Sequence, residues 1–183
     1  MPVVLASASP RRKALLEAAG FVVVVRPADI DETPAAGEAP EALVRRLARQ
    51  KAAAVGAAAG DAVVGADTTV ALGALILNKP VDDADAARML RLLSGQVHTV
   101  LTGWCVRRGA VITDGVCVTA VTFRALHDDD IAAYLKTGEH RDKAGAYGIQ
   151  GAAAVLVARV EGSLTNVIGL PVDDVVAALR GLP

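Results

Sequence analysis

The sequence predicts an α/β fold, a mixed β-sheet with flanking helices arranged as two lobes around a cleft, and three observations carry that prediction. Helical and strand-like apolar patterns alternate along the chain, a long antiparallel hairpin interrupts the alternation, and the residues are 53% apolar but only 3% aromatic, so the core is aliphatic. A length of 183 residues suits one substantial domain. No internal repeat, low-complexity tail or long linker divides it, so residues 1–183 read as a single domain.

Val3 to Ala6 reads as a short buried strand. Ser9 and Pro10 then open a helix through Ala19, with Gly20 in the usual stop position. A second strand spans Phe21 to Arg26, and the stretch Pro27 to Ala39, with two prolines, a glycine and four acids, is an irregular loop that can carry function. From Pro40 to about Ala59 the pattern is helical, with Leu43, Leu47, Ala54 and Val55 near one face and Arg45, Arg46 and Arg49 mostly elsewhere. Lys51 follows Leu43 by eight positions and Leu47 by four, which places an amine on the apolar side. Ala62 to Val70 is strand-like, and Ala71 to Leu77 suggests a further strand across a Gly73 turn. Asp82 or Asp83 caps a helix from Ala84 to Leu93 that stops before Gly95. Val97 to Arg107 and Val111 to Phe123, joined through Arg108-Gly109-Ala110, form the hairpin. A helix from Asp128-Asp129-Asp130 through Lys136, a strand from Ala152 to Val160 and a helix from Val172 to Arg180 complete the chain.

Composition excludes several classes. Nineteen basic against twenty acidic residues, a net charge of −1, remove the case for a strongly basic nucleic-acid binder. Mean hydropathy is +0.42, yet the longest apolar runs, Ala18 to Val25 and Ala52 to Gly60, are each under ten residues; a bilayer-spanning helix needs about 20. Arg11, Arg12 and Lys13 follow the apolar segment Val3 to Ala6 instead of preceding it, unlike a signal peptide. Cys105 and Cys117 make no CxxC pair and read as small core residues in a reducing cytoplasm.

Four segments could carry chemistry. Ser7-Ala8-Ser9-Pro10-Arg11-Arg12 lies between a strand and a helix start, where free N–H groups and two guanidiniums suit phosphate. A plain N-cap with solvated arginines explains it too, but cations at a helix N-terminus oppose the macrodipole and call for an anion. Asp67 sits in the apolar stretch Val63 to Val70, where a carboxylate needs a cation, a metal or strong hydrogen bonds, and could hold a divalent ion or take a proton from water. Bonding to local backbone is the competing reading. Lys51 and Lys79 could each face phosphate, and Glu32 could supply a second metal-binding oxygen, although lysines also snorkel and loop acids are usually solvated. Asp142 to Gly151 holds three glycines in ten residues and Gln150, whose amide could read a base edge or ribose. Neither GxGxxG nor GxxxxGK[ST] occurs, so this is no P-loop or Rossmann dinucleotide turn. His98, His127 and His140 lack metal-ligand spacing, and Trp104 reads as packing.

Taken together, LASASPRR at 5–12, RLARQKA at 46–52, GADTTV at 65–70, NKP at 78–80, LSG at 93–95, DKAGAYGIQG at 142–151 and GSLTNVIGLPV at 162–172 resemble the Maf family over nearly the whole chain. The resemblance implies the inosine triphosphatase-like α/β fold and a nucleoside triphosphate pyrophosphatase that cuts between the α and β phosphates with a divalent metal, Mg²⁺ or Mn²⁺. It places Ser7, Arg11, Arg12, Glu32, Lys51, Asp67, Lys79 and Gln150 in the site, with Asp67 as proton acceptor and Glu32 and Asp67 toward the metal. GADT followed by KAGAYGIQG looks like the branch acting on dTTP and UTP, and Arg12, Thr68 and Gln150 sit where that choice is made. Asn78 stands where a glycine is frequent. A homodimer in the cytoplasm, with no nucleic acid or membrane partner, is the corresponding expectation, along with a role in limiting non-standard nucleotides. The family's association with septum formation supplies the alternative, a nucleotide-binding regulator with little catalysis.

Overall fold

A computed structural model describes residues 2–58 and 60–182. Its strands are β1 (Val3–Leu5), β2 (Val23–Val25), β3 (Ala62–Leu72), β4 (Leu75–Leu77), β5 (Val97–Arg108), β6 (Val111–Phe123) and β7 (Val157–Glu161). The helices are α1 (Pro10–Ala18), α2 (Pro40–Ala54), α3 (Asp83–Leu93), α4 (Asp128–Lys136), α5 (Leu164–Ile168) and α6 (Val172–Arg180). The strands hydrogen-bond in the order β2-β1-β3-β5-β6-β7, with β4 added to β3. β1 runs parallel to β2 and β3, while β3–β4 and β6–β7 are antiparallel, so the sheet is mixed as expected. No helix among the described residues is long and apolar enough to cross a membrane.

The chain divides into two compact units. The first takes the segment up to Thr68, Thr102 to Cys117, and Gly169 onward. β1 is buried at all three positions, as a strand with parallel neighbours on both edges is. One cluster joins Val3, Leu5 and Leu16 to Trp104, Leu170, Val175 and Leu179; another joins Val4 and Val63 to Ala48, Ala52 and Cys105. Burial pushes the Cys105 thiol up to about 11, so it is the inert core residue its isolation suggested. Pro10 stands at the first turn of α1, Ser9 Oγ accepts from the Arg12 N–H at 3.4 Å, and Gly20 takes the left-handed φ of 91° just past the end. α2 lies unusually close on the sheet. A Cβ on Gly65 of β3 would sit 2.3 Å from the Ala48 carbonyl oxygen and 2.6 Å from the Ala52 nitrogen, and one on Gly103 of β5 would sit 2.1 Å from the Val44 carbonyl oxygen. Only glycine permits backbone on backbone at that separation.

The second unit takes Thr69 to Leu101 and Val118 to Ile168. Its core runs from Val70 and Leu77 through Met89, Leu90 and Leu93 to Phe123, Tyr134, Tyr147 and Leu156. Asp82 caps α3 by accepting from the Asp85 N–H at 2.7 Å. Fully buried His98 meets the Tyr147 hydroxyl at 2.7 Å, and Phe123 packs edge-on to both rings.

Three sequence expectations need correction. α2 stops at Ala54, because Val55 turns extended and Arg107 takes the Ala52 and Val55 carbonyls at 3.1 and 2.9 Å; Ala59 lies outside the described residues. The apolar run from Ala152 is not strand throughout. Ala152–Leu156 is a short 3-10 helix, started where Gly151 takes φ 88° and the Ala152 N–H donates to Glu139 at 2.9 Å, and β7 begins only at Val157. The single turn α5 was not anticipated; it is held by the Asn166 amide, which donates to the Val100 carbonyl and to Thr119 Oγ1.

Candidate active site

Within the first unit, the approach of α2 to β3 sets the central contact. Gly65 rests against the turn of α2 that carries Ala48 and Ala52, so Lys51 on that turn meets Asp67, two residues beyond Gly65. Lys51 Nζ lies 2.7 Å from Asp67 Oδ1 and 2.9 Å from Glu32 Oε1. The lysine side chain is only 8% exposed and that of Asp67 13%, against 47% for Glu32. Asp67 thus finds a cation, as its apolar setting demanded, and does not close its strand on local backbone.

Glu32 is singled out from its acidic loop by the occupations of its neighbours. Asp31 accepts the Thr33 N–H at 2.9 Å. Glu38 accepts from Arg46 at 2.7 Å and from the Ala35 N–H, which together bring its carboxyl down to about 2. Those two acids shape the loop, and Glu32 reaches over it to Lys51.

A second cluster forms around Arg12. Its guanidinium donates from Nε to the Gly169 carbonyl at 2.8 Å, from Nη1 to Ser7 Oγ at 3.0 Å and from Nη2 to Thr68 Oγ1 at 3.0 Å. Burial lowers its pKa, partly offset by the negative charge of Asp67 and of Glu32, while neighbouring Arg11 lowers it further. The hydrogen-bond partners of Arg12 are all neutral, so no carboxylate pairs directly with this cation. Three of the five guanidinium N–H groups are committed to the protein, leaving two for a ligand. Ser7 Oγ accepts from both Arg12 and the Ser9 N–H at 3.2 Å, so its hydrogen remains to be donated. Thr68 Oγ1 accepts from Arg12, exchanges a hydrogen bond with Thr102 Oγ1 at 2.9 Å and lies 3.3 Å from the Gly169 carbonyl. With Thr102 donating to it, Thr68 accepts twice and gives its one hydrogen to Gly169, which saturates the hydroxyl.

Thr102 and Gly169 were not found by reading residues. Gly169 takes φ 131°, which an L side chain rarely adopts, and its carbonyl closes the Arg12 fork. The signal available was the GLPV stretch that ends the family pattern; nothing in local spacing marked Thr102.

In the second unit, Lys79 and Gln150 are both exposed. The Gly145 N–H donates to the Asn78 carbonyl, beside Lys79, at 3.2 Å. Gly145 has φ 68°, and a Cβ there would press to 2.9 Å from Val70, so glycine is required twice over. Ala146 is held at φ 61° between this contact and the buried Tyr147. The Lys143 amine donates to the Glu139 carbonyl, and Gly151 turns the chain after Gln150 against the Glu139 carboxylate.

No group of three or more His, Cys, Asp or Glu able to hold a metal occurs among the described residues. What converges is the pair Glu32 and Asp67, both on one positive charge. Two carboxylates plus substrate phosphates are the donor set that Mg²⁺ uses in phosphoryl-transfer sites, so these residues fit a divalent ion.

A family model described as "Maf-like protein" matches residues 2–182. The chain is 52% identical to a dTTP/UTP pyrophosphatase of Anaeromyxobacter dehalogenans (strain 2CP-C), covering 97% of this chain and 92% of the relative. It is equally 52% identical to the dTTP/UTP pyrophosphatase of Geobacter sulfurreducens over 97% and 95%, and 49% identical to that of Koribacter versatilis over 98% and 94%. A nucleoside-triphosphatase, dITP/XTP pyrophosphatase, from Mycobacterium abscessus is a remote structural likeness: TM-score 0.40, 20% identity, 66% of this chain and 74% of that one.

Proposed function

The chain belongs to the Maf-like protein family, and on that footing we propose that it hydrolyses dTTP and UTP between the α and β phosphates to the nucleoside monophosphate and pyrophosphate. The observation that carries this reading is half-identity over 97% of the chain to relatives named for that activity. The site residues support it: a carboxylate on a strand, a cation beside it, and a helix start bearing two arginines.

In this reading Asp67 accepts the proton of the attacking water, its carboxylate placed before substrate arrives by Lys51, which holds Oδ1 at 2.7 Å. Arg11, Lys51 and Lys79 neutralise phosphate oxygens, and Arg12 offers its two remaining N–H groups from a fork that Ser7, Thr68 and Gly169 hold still. Ser7 donates its hydrogen to the substrate and does not attack, so no phospho-enzyme forms. Glu32 and Asp67 would hold a divalent cation, Mg²⁺ or Mn²⁺, which supplies charge neutralisation at the phosphates. Gln150, with Arg12 and Thr68, discriminates the base. The protein acts in the cytoplasm as a homodimer without nucleic acid.

The experiment is a product analysis with Mg²⁺ or Mn²⁺ and dTTP, UTP, CTP, GTP and 7-methyl-GTP. Monophosphate plus pyrophosphate chiefly from dTTP and UTP is expected, with solvent ¹⁸O in the monophosphate. Binding without turnover under either metal would replace this reading with the regulator of septum formation.

A further inference from the structure

We infer that Lys51 is a resident counter-ion, that its ammonium stands where a divalent cation is to be held, and that cation entry requires the ammonium to leave Glu32 and Asp67. The inference rests on the reading of those two acids as the cation's carboxylates. Lys51 Nζ is 2.7 Å from one and 2.9 Å from the other, on a side chain only 8% exposed. The like charges of the two carboxylates are held together by that ammonium, so the pair is already assembled before any ion arrives. The same ammonium opposes the ion. A dication and an ammonium sharing these oxygens repel, most strongly on the Asp67 side, where the ammonium and its carboxylate are both largely buried.

The rest of the site decides which group moves. The turn of α2 that bears Lys51 packs backbone to backbone on Gly65 and buries Leu47, Ala48 and Ala52, so drawing the helix back would expose core residues. Arg12 is tied at three points and cannot take over the carboxylates. The lysine has a flexible four-carbon stem and a compact charge, so its release costs only side-chain motion. The triphosphate offers the displaced ammonium new oxygens. Cation and triphosphate therefore bind with positive coupling, each strengthening the other by the same factor, and the cation alone binds weakly.

The test is Mn²⁺ binding to the purified chain without nucleotide, read by the electron paramagnetic resonance of the free ion. Lys51→Met is expected to bind Mn²⁺ at least tenfold more tightly than the unaltered protein, and Lys51→Gln serves if the first variant does not fold. Equal or weaker binding by the folded variant, or none at all, overturns the inference. A Mn²⁺-soaked crystal of the unaltered chain gives a second reading: the ammonium should have left Asp67 and Glu32, and a bound ion with both ion pairs intact refutes the displacement. Neither measurement uses turnover, so a chain that fails to hydrolyse dTTP can still pass both, and an active one can fail.

Discussion

Substituting Gly65 by alanine tests whether the close seat of α2 on β3 is what makes the Lys51–Asp67 contact. The new methyl group would lie 2.3 Å from the Ala48 carbonyl oxygen, 2.6 Å from the Ala52 nitrogen and 2.9 Å from the Ala52 Cβ. Restoring an ordinary separation of about 3.5 Å asks for a retreat of about 1 Å. The obstructing atoms are backbone on a helix packed by Leu47 and Ala48, so no flexible side-chain end can yield in their place. Overpacking of this kind costs about 3 kcal/mol at the upper end of its usual range, which for a chain of this size lowers Tm by roughly 6–12 °C. The same retreat shifts Lys51, whose ammonium must reach the carboxylates in the empty site and the triphosphate in the filled one, and a misplacement near 1 Å can lower turnover by about 100-fold. Differential scanning calorimetry and dTTP turnover per folded molecule measure the two effects. Gly56, with no atom within 4 Å of its Cβ position and no left-handed φ, is the control and should accept alanine with neither. A Gly65→Ala protein with unchanged Tm and turnover would refute the argument that this contact sets the site.

Asp67→Asn keeps the shape of the site and removes the proton acceptor, so kcat on dTTP should fall by at least 100-fold with nucleotide affinity changed far less; wild-type turnover would dismiss Asp67 as the base. Thr102→Val removes a fully buried hydroxyl partner of Thr68 and should cost about 1–2 kcal/mol in urea unfolding; an unshifted midpoint would mean that Arg12 and Gly169 hold Thr68 without it. Burial pushes His98 down to about 4, so the folded protein keeps it neutral while the unfolded chain protonates near 6.5. Its contribution is therefore present above pH 6.5 and disappears as pH falls to about 4, a loss of about 3 kcal/mol. Unfolding midpoints at pH 7 and 4.5 should converge for His98→Gln relative to wild type, and identical pH dependence in the two proteins would remove His98 as the cause.

What the sequence made legible follows from local periodicity. The sequence predicts α6 from Val172 to Arg180 and the helix has those bounds, because its apolar stripe, its early acids and its closing arginine all agree. The buried position of Lys51 came from counting helical turns from Leu43 and Leu47. The 3-10 helix at Ala152–Leu156 escaped because a run of alanine, valine and leucine has no period of its own, and the turn is started by Glu139, thirteen residues away. Thr102 and Gly169 escaped for a related reason: the Arg12–Gly169 bond spans 157 residues, and no local pattern announces a partner at that distance. The candidate residues stand out in the sequence as types out of place, a carboxylate in an apolar strand and cations at a helix start.

The first unit draws on three separate stretches of chain, and β1 at one end shares its core with Leu170, Val175 and Leu179 near the other. During synthesis, Val3 and Leu5 leave the ribosome long before the residues that cover them exist. Closing so long a loop is slow, so this layer waits, with its valines and leucines in water, until α6 has emerged. A nascent or clipped chain ending before Gly169 lacks both that cover and the carbonyl that fixes Arg12, and it presents Val3 and Leu5 on an uncovered sheet face to chaperones, proteases or another unfinished copy.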